Sequence, residues 1–439
     1  MESRSPLKVV IIGAGIGGLM AACALRETGQ DVDVYEQSQM ANEKGAAIAL
    51  QPNSTTLLRR YGFEPEKFGA TTMENVSPKA SPAQEMDADR VWFCSKMMMM
   101  DGASLDVMQE ITDKVKEATL SEQRAQKCYF IHRVDLHSTL KKRATELGAV
   151  LHAGCEIKSV DEDANTITLA DGTTVKADVI IGADGVHSRT RKVVFGESYQ
   201  EHPSALSCFR FLIPTKSLRE DPETRVFVEK PGSMMDLVGP DRRIILYPCS
   251  QGEYLNVLPI VPRQLAEAAG PKKENLLSAF SIFASPVQRM LEKTDEQSIT
   301  MWPLFDMSAL PIWAKNSVAL LGDAAHPFTP FLAQGAASAM EDAVSLAVML
   351  PLGTKTGQVP GRLQLYERCR KARVDRIQEL SRVRGRDASG ERGKPPTGNE
   401  IFSFAMYCKQ HDEYVHSSKF LEAFDVPFIP APPSPMSNP

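Results

Sequence analysis

No stretch of this 439-residue chain reaches the roughly 18 continuous apolar residues that a bilayer-crossing helix needs, so no transmembrane span is expected. The opening run MESRSPLKVVIIGAGIGG is short, broken by glycines and without a cleavage site, which argues against a secretory leader. Eight cysteines are scattered with no CxxC pair and no metal-ligand spacing. No metal centre is therefore expected, and reduced thiols in a cytoplasmic protein are. A net charge of −5 supplies no broad cationic face, so nucleic acid is not an expected partner. Neither a Ser-His-Asp triad nor a catalytic cysteine is suggested by spacing, and no internal repeat is evident.

What is present is an ordinary globular composition, 43% hydrophobic and 24% charged, in a chain long enough for two or three domains. Leu7 to Ile12 reads as a continuous apolar strand, followed by Gly13-Ala14-Gly15-Ile16-Gly17-Gly18, a helix through Arg26 and a second strand, DVDVYE, from Asp31 to Glu36. In that βαβ context each glycine has a physical use. Gly13 makes the tight turn, Gly15 lets backbone N–H groups approach a pyrophosphate, and Gly18 lets helix and strand pack closely. The helix N-terminus favours the phosphate charge, and Glu36 can accept from ribose hydroxyls. Glu36 alone does not decide between NAD and FAD.

Further along, a helix is expected from Ser54 to Tyr61, and another over LHSTLKKRATEL, capped by Asp135 and stopped at Gly148. Residues 86–128, with four methionines at 97–100 and the amphipathic DVMQEITDKVKEATL, suggest a helical insertion: a lid or a plain surface helix. A meander follows, with a hairpin turn at Asp171-Gly172 and the strand of ADVIIGADG. Residues 200–311 are strand-rich, with turn signals at Pro231-Gly232 and Gly239-Pro240. Val318 to Ala343, VALLGDAAHPFTPFLAQGAASAMEDA, reads as a strand, a Gly-Asp turn, a proline-punctuated loop and a small-residue helix. Residues 361–386 form a long basic helix, its charges read as a solvated face and Leu363, Tyr366 and Leu380 as core positions. The tail FDVPFIPAPPSPMSNP is proline-rich and expected to be extended or disordered.

Taken together, GAGIGG, Asp184-Gly185 with Ser188 and Arg191, Gly322-Asp323-Ala324-Ala325-His326 with Pro330, HRVDLHSTL at 132–140 and GAAIALQPN at 45–53 resemble the motifs of class A flavoprotein monooxygenases. That group includes salicylate hydroxylase and para-hydroxybenzoate hydroxylase, and the matches run in family order from residue 8 to about 380. The resemblance implies an α/β fold: an FAD-binding Rossmann-like domain of the glutathione-reductase type, an inserted β-sheet substrate domain and a C-terminal helical segment. The expected division is 1–200 for FAD, with the 86–128 segment as a possible lid, 201–311 for substrate, 312–352 returning to the FAD domain, and 353–439 for the long helix and tail.

The resemblance also implies roles. Glu36 holds the adenosine ribose, Gly45 and Ala46 lie in a flavin-contacting loop, and Arg133 reaches the pyrophosphate or ribityl region. Asp323 accepts from the ribityl chain, and Pro330 lies beside the flavin's reactive carbons. Gly335 and Ala336 open a helix whose N–H groups face the N1/C2 edge of the ring. Asp184 and Arg191 belong to a motif implicated in FAD and NAD(P)H binding, with Arg191 a candidate partner for the nicotinamide-nucleotide phosphate. On the substrate side Arg210 is a candidate for stabilising a phenolate or carboxylate, and Tyr247 for holding substrate; either residue can also be purely structural. No second glycine-rich βαβ unit follows residue 150, so NADPH or NADH would dock transiently.

The implied reaction is FAD-dependent oxygenation with NAD(P)H and O2. An electron-rich aromatic or unsaturated small molecule is hydroxylated or epoxidised through a flavin C4a-hydroperoxide, in a setting such as secondary metabolism. A flavin-dependent reductase or dehydrogenase of the same fold, or a non-catalytic FAD-binding redox sensor, remain as alternatives.

Overall fold

The computed structural model describes residues 5–40, 45, 47–73, 96–112, 127–229, 232–270, 272–386 and 398–424. In chain order its first part comprises β1 (Lys8–Ile12), α1 (Ile16–Glu27), β2 (Asp31–Glu36), β3 (Ala47–Leu50), α2 (Pro52–Arg60), β4 (Thr71–Thr72), β5 (Lys96–Asp101), β6 (Val107–Thr112), β7 (Tyr129–His132), α3 (Arg133–Glu146) and β8 (Val150–Ala153). Then come β9 (Ile157–Asp161), β10 (Thr166–Leu169), β11 (Thr174–Lys176), β12 (Val179–Gly182), α4 (Arg189–Phe195), β13 (His202–Pro214), α5 (Thr215–Arg219), β14 (Met234–Val238), β15 (Arg243–Cys249) and β16 (Tyr254–Pro262). The remainder is α6 (Arg263–Ala269), α7 (Lys273–Ala279), α8 (Ser285–Glu292), β17 (Thr300–Asp306), β18 (Ala314–Lys315), β19 (Val318–Leu320), α9 (Gly335–Met349), α10 (Val359–Arg386), α11 (Gly398–Lys409) and α12 (Glu413–Glu422).

Strands covered on both faces read as unbroken apolar runs, and KVVII, VIIG and VAL are of that kind. They form the middle of a six-stranded sheet in the order β18-β19-β12-β1-β2-β8, parallel except where β18 meets β19. Helix α1 packs between this sheet and α9. The contact is close because Gly17 has no side chain; a Cβ there would lie 2.6 Å from the Leu321 Cδ2 and 3.1 Å from the Ala339 Cβ. The first three strands of the expected meander make the small antiparallel sheet β11-β10-β9, while its last, VIIG, is β12 of the parallel sheet, and β3-β7-β4 makes a third sheet.

The strand-rich stretch is a seven-stranded sheet, β17-β13-β16-β15-β14-β5-β6. Alternation along β13 and β15 divides its two faces. Phe209, Phe211, Ile244 and Leu246 enter a core with Phe280, Val287 and Met290 from the helical side. Cys208, Ile245, Tyr247 and Cys249 point the other way, toward Ala47 and Phe130 of the β3-β7-β4 sheet.

Three expectations are corrected here. Within the segment read as a helical insertion or lid, residues 96–101 and 107–112 are strands, and β5 pairs in parallel with β14. The methionine run fits a strand apolar on both faces: Met98 and Met100 enter the helical-side core, while Met99 is buried on the opposite face. Residues 86–95 and 113–126 of that segment lie outside the described residues, as does the proline-rich tail from residue 425. The long helix α10 buries Leu363, Tyr366 and Leu380 as expected, but its charges are not simply a solvated face. Arg370, Arg373 and Arg384 are buried as well, drawn in by carboxylates of α9, α12 and β14. Helix α3 begins two residues before Asp135, so Asp135 lies in its first turn and not at its cap.

Candidate active site

In the parallel sheet β12 lies between β1 and β19, and all three run the same way. Their C-terminal ends therefore set Gly13, Asp184 and Gly322 side by side, where crossover loops of such sheets place ligands. Gly13 has φ +104, and a Cβ on it would come within 2.4 Å of the Ala183 carbonyl oxygen. A Cβ on Gly18 would come within 2.0 Å of the Gly13 oxygen. These two glycines are steric necessities of the turn. Gly15 differs: it caps α1 with an ordinary φ of −67, no side chain caps that helix, and an added Cβ meets nothing within 4 Å. Glu36 braces the loop, accepting from the Ala14 amide at 2.9 Å and the Ser38 amide at 2.8 Å. Each carboxylate oxygen keeps a second lone pair for a hydroxyl donor.

Asp184 is saturated by its own turn. Its Oδ1 accepts from Ser188 at 2.6 Å, and its Oδ2 from the amides of Arg189 and Thr190 and from the Thr190 hydroxyl at 2.9–3.0 Å. What this turn offers a ligand is backbone, and Gly185 (φ +78) again borders open space. The expectation that Arg191 meets a nicotinamide phosphate is corrected. Its guanidinium is only 2% exposed; one nitrogen donates to the Ala324 carbonyl at 3.1 Å, the other to the Val186 carbonyl at 2.6 Å and to Glu201. Arg191 is an internal strut tying the 184–188 turn to the 322–324 turn.

Asp323 follows β19. It is exposed toward the cleft, and no described residue donates a hydrogen bond to its carboxylate. Burial of the surrounding turn pushes its carboxyl above the usual carboxylate range, against the pull of His326, Arg133 and Arg191. Arg133, half-buried at the start of α3, acts on this carboxylate through its charge, its stem 3.1 Å from where a Gly45 Cβ would be. Gly45 is held by His132 Nε2 on its carbonyl oxygen at 2.8 Å. Ala46 lies outside the described residues.

Pro330 begins a single helical turn ending at Ala333, which takes a left-handed φ of +52 before Gln334 caps α9. Gly335 and Ala336 are half-buried at the start of α9; no side chain caps that helix, and a Cβ on Gly335 meets nothing within 4 Å. Three glycines from three loops thus border open space beside two uncapped helix N-termini and a partnerless carboxylate. A dinucleotide such as FAD fits this set: amides for phosphates, Asp323 for hydroxyls, and the α9 N-terminus for a ring carrying negative charge.

Facing this cradle is the second face of the seven-stranded sheet. Phe331 of the Pro330 turn packs against its Ile245 and Tyr247 cluster. Arg210, between Cys208 and Leu212 on that face, is half-buried, with its guanidinium 5.9 Å from the Trp302 ring and its Nε buried without a hydrogen-bond partner. Of the two roles open to Tyr247, its contacts fit the structural one. Its hydroxyl donates to the Ala47 carbonyl at 2.7 Å and its ring stacks on Phe130 at 4.6 Å. Asn256 accepts from the Ala47 amide at 3.0 Å, so β3 is pinned at both polar atoms of one residue. Tyr247 acts there as a structural fastener.

Several site-forming residues escaped the sequence reading. Gln51 and Asn53 bind Gln334, and Asn53 also binds Glu341 at 2.7 Å. Asp342 accepts from the Gly322 amide and bonds His326. The available signal was an acidic pair, Glu341-Asp342, inside a helix whose residues 337–349 are otherwise small or apolar.

The profile of the FAD binding domain family matches residues 6–381. An FAD-dependent monooxygenase, cfoG, of Aspergillus candidus is 32% identical over 438 residues, covering 96% of this chain and 94% of that protein. Hispidin-3-hydroxylase of Neonothopanus nambi is 34% identical over 394 residues, covering 85% and 87%. Among solved structures, the substrate complex of a salicylate hydroxylase superposes with a TM-score of 0.70 at 22% identity, covering 95% of this chain and 98% of that one.

Proposed function

The chain belongs to the class A FAD-dependent flavoprotein monooxygenases, and from that premise we propose that it uses NAD(P)H and O2 to hydroxylate or epoxidise an electron-rich aromatic bearing an acidic hydroxyl or carboxylate. When bound, FAD supplies the redox chemistry, taking electrons from the nicotinamide and delivering one oxygen atom of O2 to the substrate. The chain's own residues bind, orient and exclude water. Asp323 and the loop amides hold the cofactor, and Pro330, with no backbone donor, offers no N–H where oxygen chemistry would occur. The apolar face around Ile245, Leu258 and Phe331 keeps water from that region.

The observation that carries the substrate class is Arg210. It is a half-buried cation on the face opposite the cradle, with a donor left unused by the protein. A phenolate or carboxylate placed there gains a charge-assisted hydrogen bond, and phenolate character raises electron density at the carbon to be oxygenated. Relatives named for hispidin and salicylate hydroxylation agree with a hydroxylated aromatic. We also place the working enzyme in the cytoplasm, with the seven described cysteines all unbridged.

The test is to follow NADPH and NADH oxidation and O2 uptake against phenols, indoles and salicylates. One class should raise both rates together and yield a product heavier by one oxygen. Arg210→Gln should raise KM for that class on the order of tenfold while FAD content is unchanged. NAD(P)H oxidation without O2 uptake would point to a reductase. Bound flavin that never oxidises NAD(P)H would point to a non-catalytic protein.

A further inference from the structure

Behind the flavin cradle lies a buried charge cluster that the reaction does not explain. Arg370, fully buried in α10, pairs with Glu341 at 2.8 Å and Asp342 at 2.9 Å, both from α9, and with Glu413 from α12. Arg373 grips Glu341 through two nitrogens at 2.9 Å and donates to the carbonyls of Tyr407 and Cys408 at 3.1 Å. Glu413 also accepts from Ser417 at 2.5 Å and meets His411 Nε2 at 2.7 Å. Glu341, Asp342 and Glu413 are all 0% exposed. Charges at that depth persist only when each is paired and hydrogen-bonded, as here.

Of these three carboxylates, Asp342 is the one that reaches the 322–326 turn on the cofactor side. Its Oδ1 takes the Arg370 bond, while its Oδ2 accepts from the Gly322 amide at 3.0 Å and bonds His326 Nε2 at 2.6 Å. Gly322 and His326 bracket Asp323 in sequence, and Gly322 sits at φ +61. One carboxylate therefore fixes both ends of the turn that presents Asp323. Its neighbour Glu341 fixes Asn53, and through it Gln334 at the α9 cap. Burial alone would raise the Asp342 carboxyl, but His326 and Arg370 hold it below the usual range, as an anion.

We infer that Asp342 is a positioning residue for the Asp323 turn, and that C-terminal helix α12, through Glu413 and Arg370, is part of the flavin site it does not touch. The inference rests on the FAD reading above. Arg370 pairs with three carboxylates and Arg373 with Glu341, so after either single carboxamide substitution each guanidinium still has a carboxylate partner. Asp342→Asn and Glu413→Gln are therefore both expected to fold. What they lose is aim. A carboxamide in place of the Asp342 carboxylate has one acceptor oxygen, which cannot serve Arg370, Gly322 and His326 together. An Arg370 released from Glu413 is likewise free to shift its hold on Asp342.

The experiment titrates FAD into the flavin-stripped full chain and records flavin fluorescence and visible circular dichroism. Asp342→Asn should weaken FAD binding on the order of tenfold or more, and Glu413→Gln by severalfold to about tenfold. Both should alter the visible dichroism of the bound flavin. The double variant should bind about as weakly as Asp342→Asn, because both changes act through one chain of contacts. Glu413→Gln that binds FAD with wild-type affinity and unchanged dichroism would overturn the inference even if its melting temperature falls, since α12 would then be only a staple. Effects that multiply in the double variant would overturn it too. A wild-type chain that stays colourless would instead sink the FAD reading.

Discussion

The cleft has two walls built on different principles. On the parallel-sheet side the surface offered to a ligand is mostly backbone: glycines 15, 185 and 335, two helix N-termini and one carboxylate. On the seven-stranded side it is side chains: Arg210, Trp302, Ile245, Leu258 and Phe331. A backbone wall cannot vary without changing residue type to one with a Cβ, whereas a side-chain wall changes with every substitution. The first suits an invariant dinucleotide and the second a substrate that differs among relatives.

The sharpest way to break this contrast is Gly13→Ala. At φ +104 and 2.4 Å from the Ala183 oxygen, the new methyl group should cost about 3 kcal/mol or more, seen as a lower melting temperature even without flavin. Asp323→Asn should separate stability from binding. Although Asp323 is exposed, desolvation by the packed turn around it raises its carboxyl above the unfolded value, so the flavin-free fold binds that proton more tightly than the unfolded chain does. Its contribution is fully favourable below the unfolded value near 3.8 and is lost as pH rises through the folded one. At neutral pH Asp323→Asn should therefore melt no lower than wild type without flavin, while FAD binding weakens on the order of tenfold. A lower flavin-free melting point at neutral pH would contradict that sign.

Gly15→Ala sharpens the contrast further. Its φ suits any residue and its Cβ meets no atom, so the flavin-free melting temperature should match wild type within about 0.5 kcal/mol. FAD binding should nonetheless weaken about tenfold, because the methyl group fills the space that the pyrophosphate needs. Unchanged FAD affinity would show that Gly15 does not line the cofactor. The smallest effect is expected from Tyr247→Phe, a loss of about 1 kcal/mol of stability from the freed Ala47 carbonyl with KM nearly unchanged. A large KM increase would restore Tyr247 to the substrate.

The backbone wall was legible in the sequence because its chemistry is written locally. Gly13, Gly15 and Gly18 stand between a strand and a helix, where spacing places them, and Gly322-Asp323 at the end of another strand was placed by the family resemblance. The side-chain wall was legible only in part. Arg210 was found on its strand, but Tyr247 stayed open between substrate and structure because its partner is Ala47, 200 positions away in the chain. Arg191 was taken as a candidate partner for a nicotinamide phosphate for the same reason, since Glu201 and the Ala324 carbonyl become its partners only in three dimensions. The buried arginines of α10 show the limit most clearly. A basic helix looks solvated until one knows that Glu341, Asp342 and Glu413 converge on it.

The parallel pairing of β5 with β14 has a consequence for how the chain is made. Strand β5 leaves the ribosome long before β14 exists to receive it, and until then its hairpin with β6 carries one unpaired, methionine-rich edge. Production in a foreign host should thus depend on growth temperature and chaperone supply during synthesis more than on the strength of the finished fold. Excising residues 201–311 as a separate piece would take β5 from β14, leaving it paired with β15 alone and its other edge open.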